Sequence, residues 1–262
     1  MIGIFDSGVG GLTIVKEAFK ELPSYDIIYF ADLAHSPYGT KSKSTIEKFA
    51  TQITRFLLEK RAKIIIIACN TASAQAYKTL KKEFSIPVFD VITPAVEEAA
   101  KVTKNKRIGI IGTYGTIRSK AYENAFKKFN FNFQIFSKAC PLFVPLVEEN
   151  FINRPETKRI AKYYLRELKN KQIDTLVLGC THYPLLKDII QKVMGKGVTL
   201  IDSFKVIQSV VEKIKKDKEL NSSLGKNNKQ IYFASDSLNN FKEIAERFLG
   251  RKTKSFVVEL DN

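Results

Sequence analysis

Cys69 and Cys180 occupy matching local settings in a chain of 262 residues that carries three cysteines in all. Each closes a short apolar run, Ile64-Ile65-Ile66-Ile67-Ala68 before the first and Leu176-Val177-Leu178-Gly179 before the second. Each is followed by residues suited to start a helix. Asn70 and Thr71 are candidate N-caps ahead of Ala72-Ser73-Ala74-Gln75-Ala76, and Thr181 can cap with Pro184 in the next first turn. Both thiols are therefore expected at the carboxyl edge of a strand, where open α/β sheets bind ligands. Unpaired N–H groups and the positive end of a helix macrodipole favour thiolate there. Two matched thiols can take a proton from one face of a carbon and return one to the other, exchanging acid and base roles with the direction of reaction. A thiol hydrolase would instead need one cysteine with a histidine base. Cys180 alone has a histidine close in sequence, His182; Cys140, before Pro141, reads as a core residue.

A second set of polar groups falls in strand-to-helix loops. Asp6-Ser7-Gly8-Val9-Gly10-Gly11 follows the first apolar run, so its backbone N–H groups and the Ser7 hydroxyl can meet an anion. The pattern is not G-x-G-x-x-G, no acidic residue is placed for a ribose, and a tight turn that needs glycine is the plain alternative. Thr113 and Thr116 occupy the equivalent loop in the second half of the chain.

The elements that must carry these groups alternate between β-branched runs and longer helical stretches, which marks βαβ units and a parallel sheet. Strands are expected near Ile2–Phe5, Ile27–Ala31, Lys63–Ala68, Val88–Asp90, Arg107–Ile111, Phe133–Ser137, Thr175–Leu178, Thr199–Ile201 and Ile231–Ala234. The clearest helices are Leu12–Glu21, Ser44–Lys60, Ala72–Phe84, Glu156–Asn170 and Val206–Lys216, with another after Ser237. Ile2-Gly3-Ile4 is echoed by Ile108-Gly109-Ile110, and the run into Cys69 is echoed by the run into Cys180. Two echoes in the same order suggest two α/β halves of about a hundred residues each, chance similarity being the alternative. The expected architecture is two similar Rossmann-like domains with mostly parallel sheets. Residues 1–92 plus 207–262 would form a discontinuous first domain and 93–206 the second.

Composition narrows the class. With 44% hydrophobic and 27% charged residues the chain is that of a globular protein. Its apolar runs fall far short of the roughly 20 residues a membrane span needs. The first residues read directly as a strand, not as a signal peptide, and three cysteines without a CxxC pair fit reduced thiols, so a cytoplasmic protein is expected. Two histidines, His35 and His182, without clustered Cys/His spacing argue against a metal site, and no pyridoxal lysine stands out. The net charge of +16 is spread over the polar faces of nearly every helix without an aromatic-rich basic stripe, so neither nucleic acid nor a membrane is expected as partner.

Five stretches, in order along almost the whole chain, resemble the successive motifs of bacterial glutamate racemases, within the aspartate/glutamate racemase superfamily. They are Asp6 to Gly11, Pro37-Tyr38-Gly39, Ala68-Cys69-Asn70-Thr71-Ala72, Pro145-Leu146-Val147-Glu148 and Leu178-Gly179-Cys180-Thr181-His182-Tyr183-Pro184. The resemblance implies a cofactor-independent racemase with one catalytic cysteine from each domain, Cys69 and Cys180, and an active site in the cleft between the domains. It implies that Asp6 assists the first thiol and that His182 and Glu148 assist the second. It places Asp6, Ser7, Tyr38, Gly39, Asn70, Thr71, Thr181 and His182 around glutamate, and the equivalence of loops adds Thr113 and Thr116. It also implies a homodimer, and D-glutamate supplied to peptidoglycan synthesis. Asp6 or Glu148 acting as simple helix caps, and a purely structural Tyr38, are the alternatives. A racemase for aspartate or another amino acid on the same fold, and a Cys180–His182 thiol hydrolase, are the rival activities.

Overall fold

In a computed structural model the apolar runs become, among the described residues, ten strands: β1 (Ile2–Asp6), β2 (Ile27–Ala31), β3 (Ile64–Ile67), β4 (Val88–Asp90), β5 (Arg107–Gly112), β6 (Gln134–Ala139), β7 (Thr175–Gly179), β8 (Thr199–Ile201), β9 (Gln230–Ala234) and β10 (Ser255–Val257). The structure describes residues 1–129, 132–236 and 238–260, and their side chains apart from 238–240. Ser237 thus lies outside the described residues, while the helix expected after it spans Leu238–Leu249. β10 has no counterpart among the expected strands.

The strands form two sheets in which every pairing is parallel, ordered β10-β9-β2-β1-β3-β4 and β6-β5-β7-β8. The orders β2-β1-β3-β4 and β6-β5-β7-β8 are the same, so the two sequence echoes reflect a repeated fold unit and not chance. In each unit the chain goes from a central strand to one neighbour, then crosses to the other side. The crossing leaves a crevice at the carboxyl ends, between β1 and β3 in one sheet and between β5 and β7 in the other, which is where such sheets bind ligands. Cys69 follows β3 and Cys180 follows β7.

Parallel strands covered on both faces read as continuous apolar runs. β3 shows this: Ile64 and Ile66 join one buried cluster while Ile65 and Ile67 join another on the opposite face. The helix Lys205–Lys216 packs on helices Leu12–Glu21 and Ile92–Val102, tying the two halves together. Beyond it, β9 returns to pair with β2, and the buried Asp26 fixes that return by accepting from the N–H groups of Asn227 (3.0 Å) and Lys229 (2.9 Å).

Candidate active site

At the end of β3 the helix Asn70–Glu83 begins one residue earlier than the Asn70 and Thr71 caps would have it. Cys69 is itself the N-cap, its sulfur accepting from the Ala72 N–H at 3.5 Å. The thiol donates to the Ser7 hydroxyl at 3.4 Å, and Asp6 lies in the same crevice. Asp6 is 1% exposed; its carboxylate accepts from the Gly11 N–H (3.2 Å) and from the Thr181 hydroxyl of the other half (3.3 Å). Burial pushes the Cys69 thiol up to about 12, and the charge of Asp6 adds to this against the hydrogen bonds of Ser7 and Ala72. The expectation of a thiolate from the helix terminus is thereby corrected: loss of solvent outweighs the macrodipole, and Cys69 is a protonated acid.

Cys180 differs. Thr181 does not cap a helix; a short 3-10 turn, Tyr183–Leu186, follows, and the α-helix starts only at Lys187. In place of a helix terminus, Cys180 has His182, whose Nδ1 lies 3.8 Å from its sulfur. His182 Nε2 is 2.9 Å from Glu148, at the end of the helix Phe143–Glu148. Burial works against an imidazolium there, but hydrogen bonds to Cys180 and Glu148, with their charges, lift His182 to about 10. A protonated ring donates one N–H to Glu148 and directs the other at the Cys180 sulfur.

The loop after β1 and the loop after β7 meet directly. Thr13 donates to the Thr181 carbonyl (3.1 Å), and Gly10 sits so close that a Cβ there would stand 2.4 Å from both Thr181 Oγ1 and His182 Nδ1. A second contact joins Thr71, Thr113 and Thr116, whose hydroxyls lie within 2.8–3.2 Å of one another. Gly39 packs on this cluster, since a Cβ there would be 2.9 Å from Thr113 Cβ. Both thiols are closed in, at 5% and 6% exposure, and a cavity of about 660 Å³ beside Lys41, Gln75, Lys78 and Arg118 reaches neither.

The expected residues thus come together in one seam, where the side chains of two of them, Tyr38 and Asn70, are engaged within the protein. The Tyr38 hydroxyl donates to the fully buried Asp32 at 2.5 Å. Both ends of the Asn70 amide are engaged by the other half, Oδ1 by the Tyr122 hydroxyl (2.6 Å) and Nδ2 by Ser203 (3.2 Å). Asp32, which also accepts from Ser235 (2.8 Å) and contacts His35 Nδ1 (2.8 Å), is not among the expected site residues, and neither are Thr13, Tyr122 and Ser203. Its sequence signal was its place just after β2, at the same sheet edge as Asp6.

Residues 12–209 match the Asp/Glu/Hydantoin racemase family. The chain belongs to that family. Among similar proteins, a glutamate racemase of Geobacter metallireducens is 47% identical over 251 residues, covering 96% of this chain and 93% of its own. A crystal structure of a glutamate racemase isoform from Bacillus anthracis superposes with a TM-score of 0.93 at 38% identity, covering 99% of this chain and 97% of that one. Glutamate racemase from Francisella tularensis, solved in complex with D-glutamate, gives 0.90 at 41% identity with the same coverage.

In this racemase the buried carboxyl of Asp6 has a consequence for stability. Burial raises it from 3.8 to about 6, although the charge of His182 and the hydrogen bonds of Gly11 and Thr181 pull the other way. Between those two values the folded protein holds more protons than the unfolded chain, so stability falls as pH rises through that window, by about 3 kcal/mol at most. Chemical unfolding from pH 4 to 6.5 should show the Asp6→Asn variant gaining relative to wild type as pH rises; parallel curves would refute this reading. His182 acts in the same direction at higher pH, its contribution being present below pH 6.5 and lost as pH rises through about 10.

Proposed function

We propose that the protein interconverts L- and D-glutamate without a cofactor, by proton transfer between Cα and the two thiols. The observation that carries the reading is the placing of Cys69 and Cys180 after equivalent strands of two repeated units, in settings of opposite character. Burial disfavours a thiolate at Cys69, whereas the Cys180 sulfur has the His182 ring 3.8 Å away. Glutamate as substrate rests on the relatives, whose names specify it.

With L-glutamate bound between the sulfurs, Cys180 takes the α-proton. The Cα–H bond breaks, an S–H bond forms, and the electron pair stays on the carbon beside the substrate carboxylate. The S–H bond of Cys69 then breaks and its proton goes to the opposite face, giving D-glutamate and a thiolate at Cys69. In the reverse direction the roles exchange, and the assignment of each thiol to an enantiomer follows the family motifs. Asp6 and Ser7 assist Cys69; His182, oriented by Glu148, assists Cys180. Ser7, Asn70, Thr71, Thr181 and His182 line the substrate, with Tyr38, Gly39, Thr113 and Thr116 at the edge of the seam. Dry surroundings and fixed hydrogen bonds stabilise the carbanion.

The same reading takes residues 1–92 with 207–262 as one domain and 93–206 as the other, supported by β9 and β10 extending the first sheet. Family likeness extends it to a cytoplasmic homodimer that supplies D-glutamate for peptidoglycan.

The Cys180–His182–Glu148 line also fits a thiol hydrolase. Circular dichroism of L-glutamate and of L-aspartate incubated with the protein alone separates the readings. Loss of optical rotation from glutamate without change of mass is the expected result. Racemisation of aspartate alone would reassign the substrate, and no racemisation of either would overturn the proposal.

A further inference from the structure

Tyr122 lies across the seam in a way that the proposed chemistry does not use. It belongs to the short helix Ala121–Phe126 and is buried. Its hydroxyl donates to Oδ1 of Asn70, the residue after Cys69. The edge of its ring faces Gly179, the residue before Cys180: a Cβ there would lie 3.1 Å from Tyr122 Cε2. One rigid side chain therefore touches the neighbour of each thiol. Ser203, also buried, holds the other end of the same Asn70 amide at 3.2 Å. Asn70 is the first residue of the helix that Cys69 caps, so displacing it displaces the sulfur.

We infer that Tyr122 is a spacer that sets the separation of the two thiol-bearing strand ends, with Ser203 locking it through Asn70. This rests on the two-thiol racemase reading and adds a positioning residue to it. A flat ring with one hydroxyl makes a good spacer, because two rotatable bonds leave little play and the hydroxyl fixes the far end. Removing the hydroxyl leaves the ring against Gly179 and frees Asn70. Both proton transfers need their donor and acceptor within a few tenths of an ångström, and misplacement by about 1 Å costs roughly a hundredfold.

The test uses Tyr122→Phe and, as a smaller change at the other end of the same amide, Ser203→Ala. Each should lower kcat by roughly 10- to 100-fold with a smaller change in KM, since neither side chain is itself placed on the substrate and only Asn70, which both hold, lines it. The deciding readout is isotopic. In deuterated water the wild type should carry label into product while recovered substrate stays largely unlabelled. If the second transfer is delayed, the first thiol returns its own exchanged proton, and recovered substrate gains deuterium early in the reaction. A variant that is merely less folded loses both rates in proportion and keeps the wild-type ratio. An unchanged ratio in both variants overturns the spacer, whatever happens to kcat. If the wild type itself places no deuterium at Cα, it is the racemase reading that has failed.

Discussion

Cys69→Ala and Cys180→Ala are each expected to lower the interconversion of L- and D-glutamate by about a thousandfold or more, at the upper end of what a single acid or base contributes. The loss is large because inversion needs both groups in one turnover; neither thiol can reach the face that belongs to the other. The residual chemistry should be one-sided. Without Cys69, Cys180 can still take the α-proton of one enantiomer and return a deuteron to the same face. Without Cys180, the converse holds for the other enantiomer. Chiral chromatography with mass detection in deuterated water reads both outcomes. A Cys69→Ala enzyme that keeps more than a tenth of wild-type inversion would end the two-base mechanism. One that keeps hydrolytic turnover instead would favour the thiol hydrolase.

Gly10→Ala is expected to be nearly as damaging, though Gly10 carries no reactive group. A methyl there cannot fit with Thr181 Oγ1 and His182 Nδ1 each 2.4 Å from its carbon. Either the two loops part or the His182 ring turns, and both outcomes separate the imidazolium from Cys180 or Thr181 from Asp6. A fall in kcat/KM of roughly 10²–10³ should follow, with the thermal unfolding midpoint changed far less, because the core of neither sheet is touched. Full activity in a folded Gly10→Ala protein would mean that the closed seam is not the working state.

Fold and site were legible in the sequence to different depths. β3 and β7 were plain because each is a near-continuous apolar run ended by a cysteine and a polar residue. The parallel repeat followed from them. β10 was not, because Ser255–Val257 is half-exposed and lacks the mostly buried positions of the equally short β4 and β8. The cap at Cys69 was misread by one residue because sulfur is a poor acceptor that propensity rules pass over, yet here the thiol takes the Ala72 N–H. The contrast between the thiols was invisible, since desolvation of Cys69 depends on what the other half covers. Glu148 was found from a family motif alone, as 34 residues of chain separate it from His182. Tyr122 has the same cause, since its partner Asn70 lies far away in the chain and no local pattern announces such a contact, whereas Asp32 was legible from its place just after β2.

The return of β9 to the far side of β2 sets an order on synthesis. The sheet β6-β5-β7-β8 has all its strands once Ile201 has left the ribosome, so it can close early. β2 was made long before but has no neighbour on its outer edge until Gln230–Ala234 emerge, some seconds later at ordinary rates of translation. In that interval an apolar parallel strand stands open to any extended segment nearby. The nascent protein is therefore most exposed to mispairing in the half that was translated first.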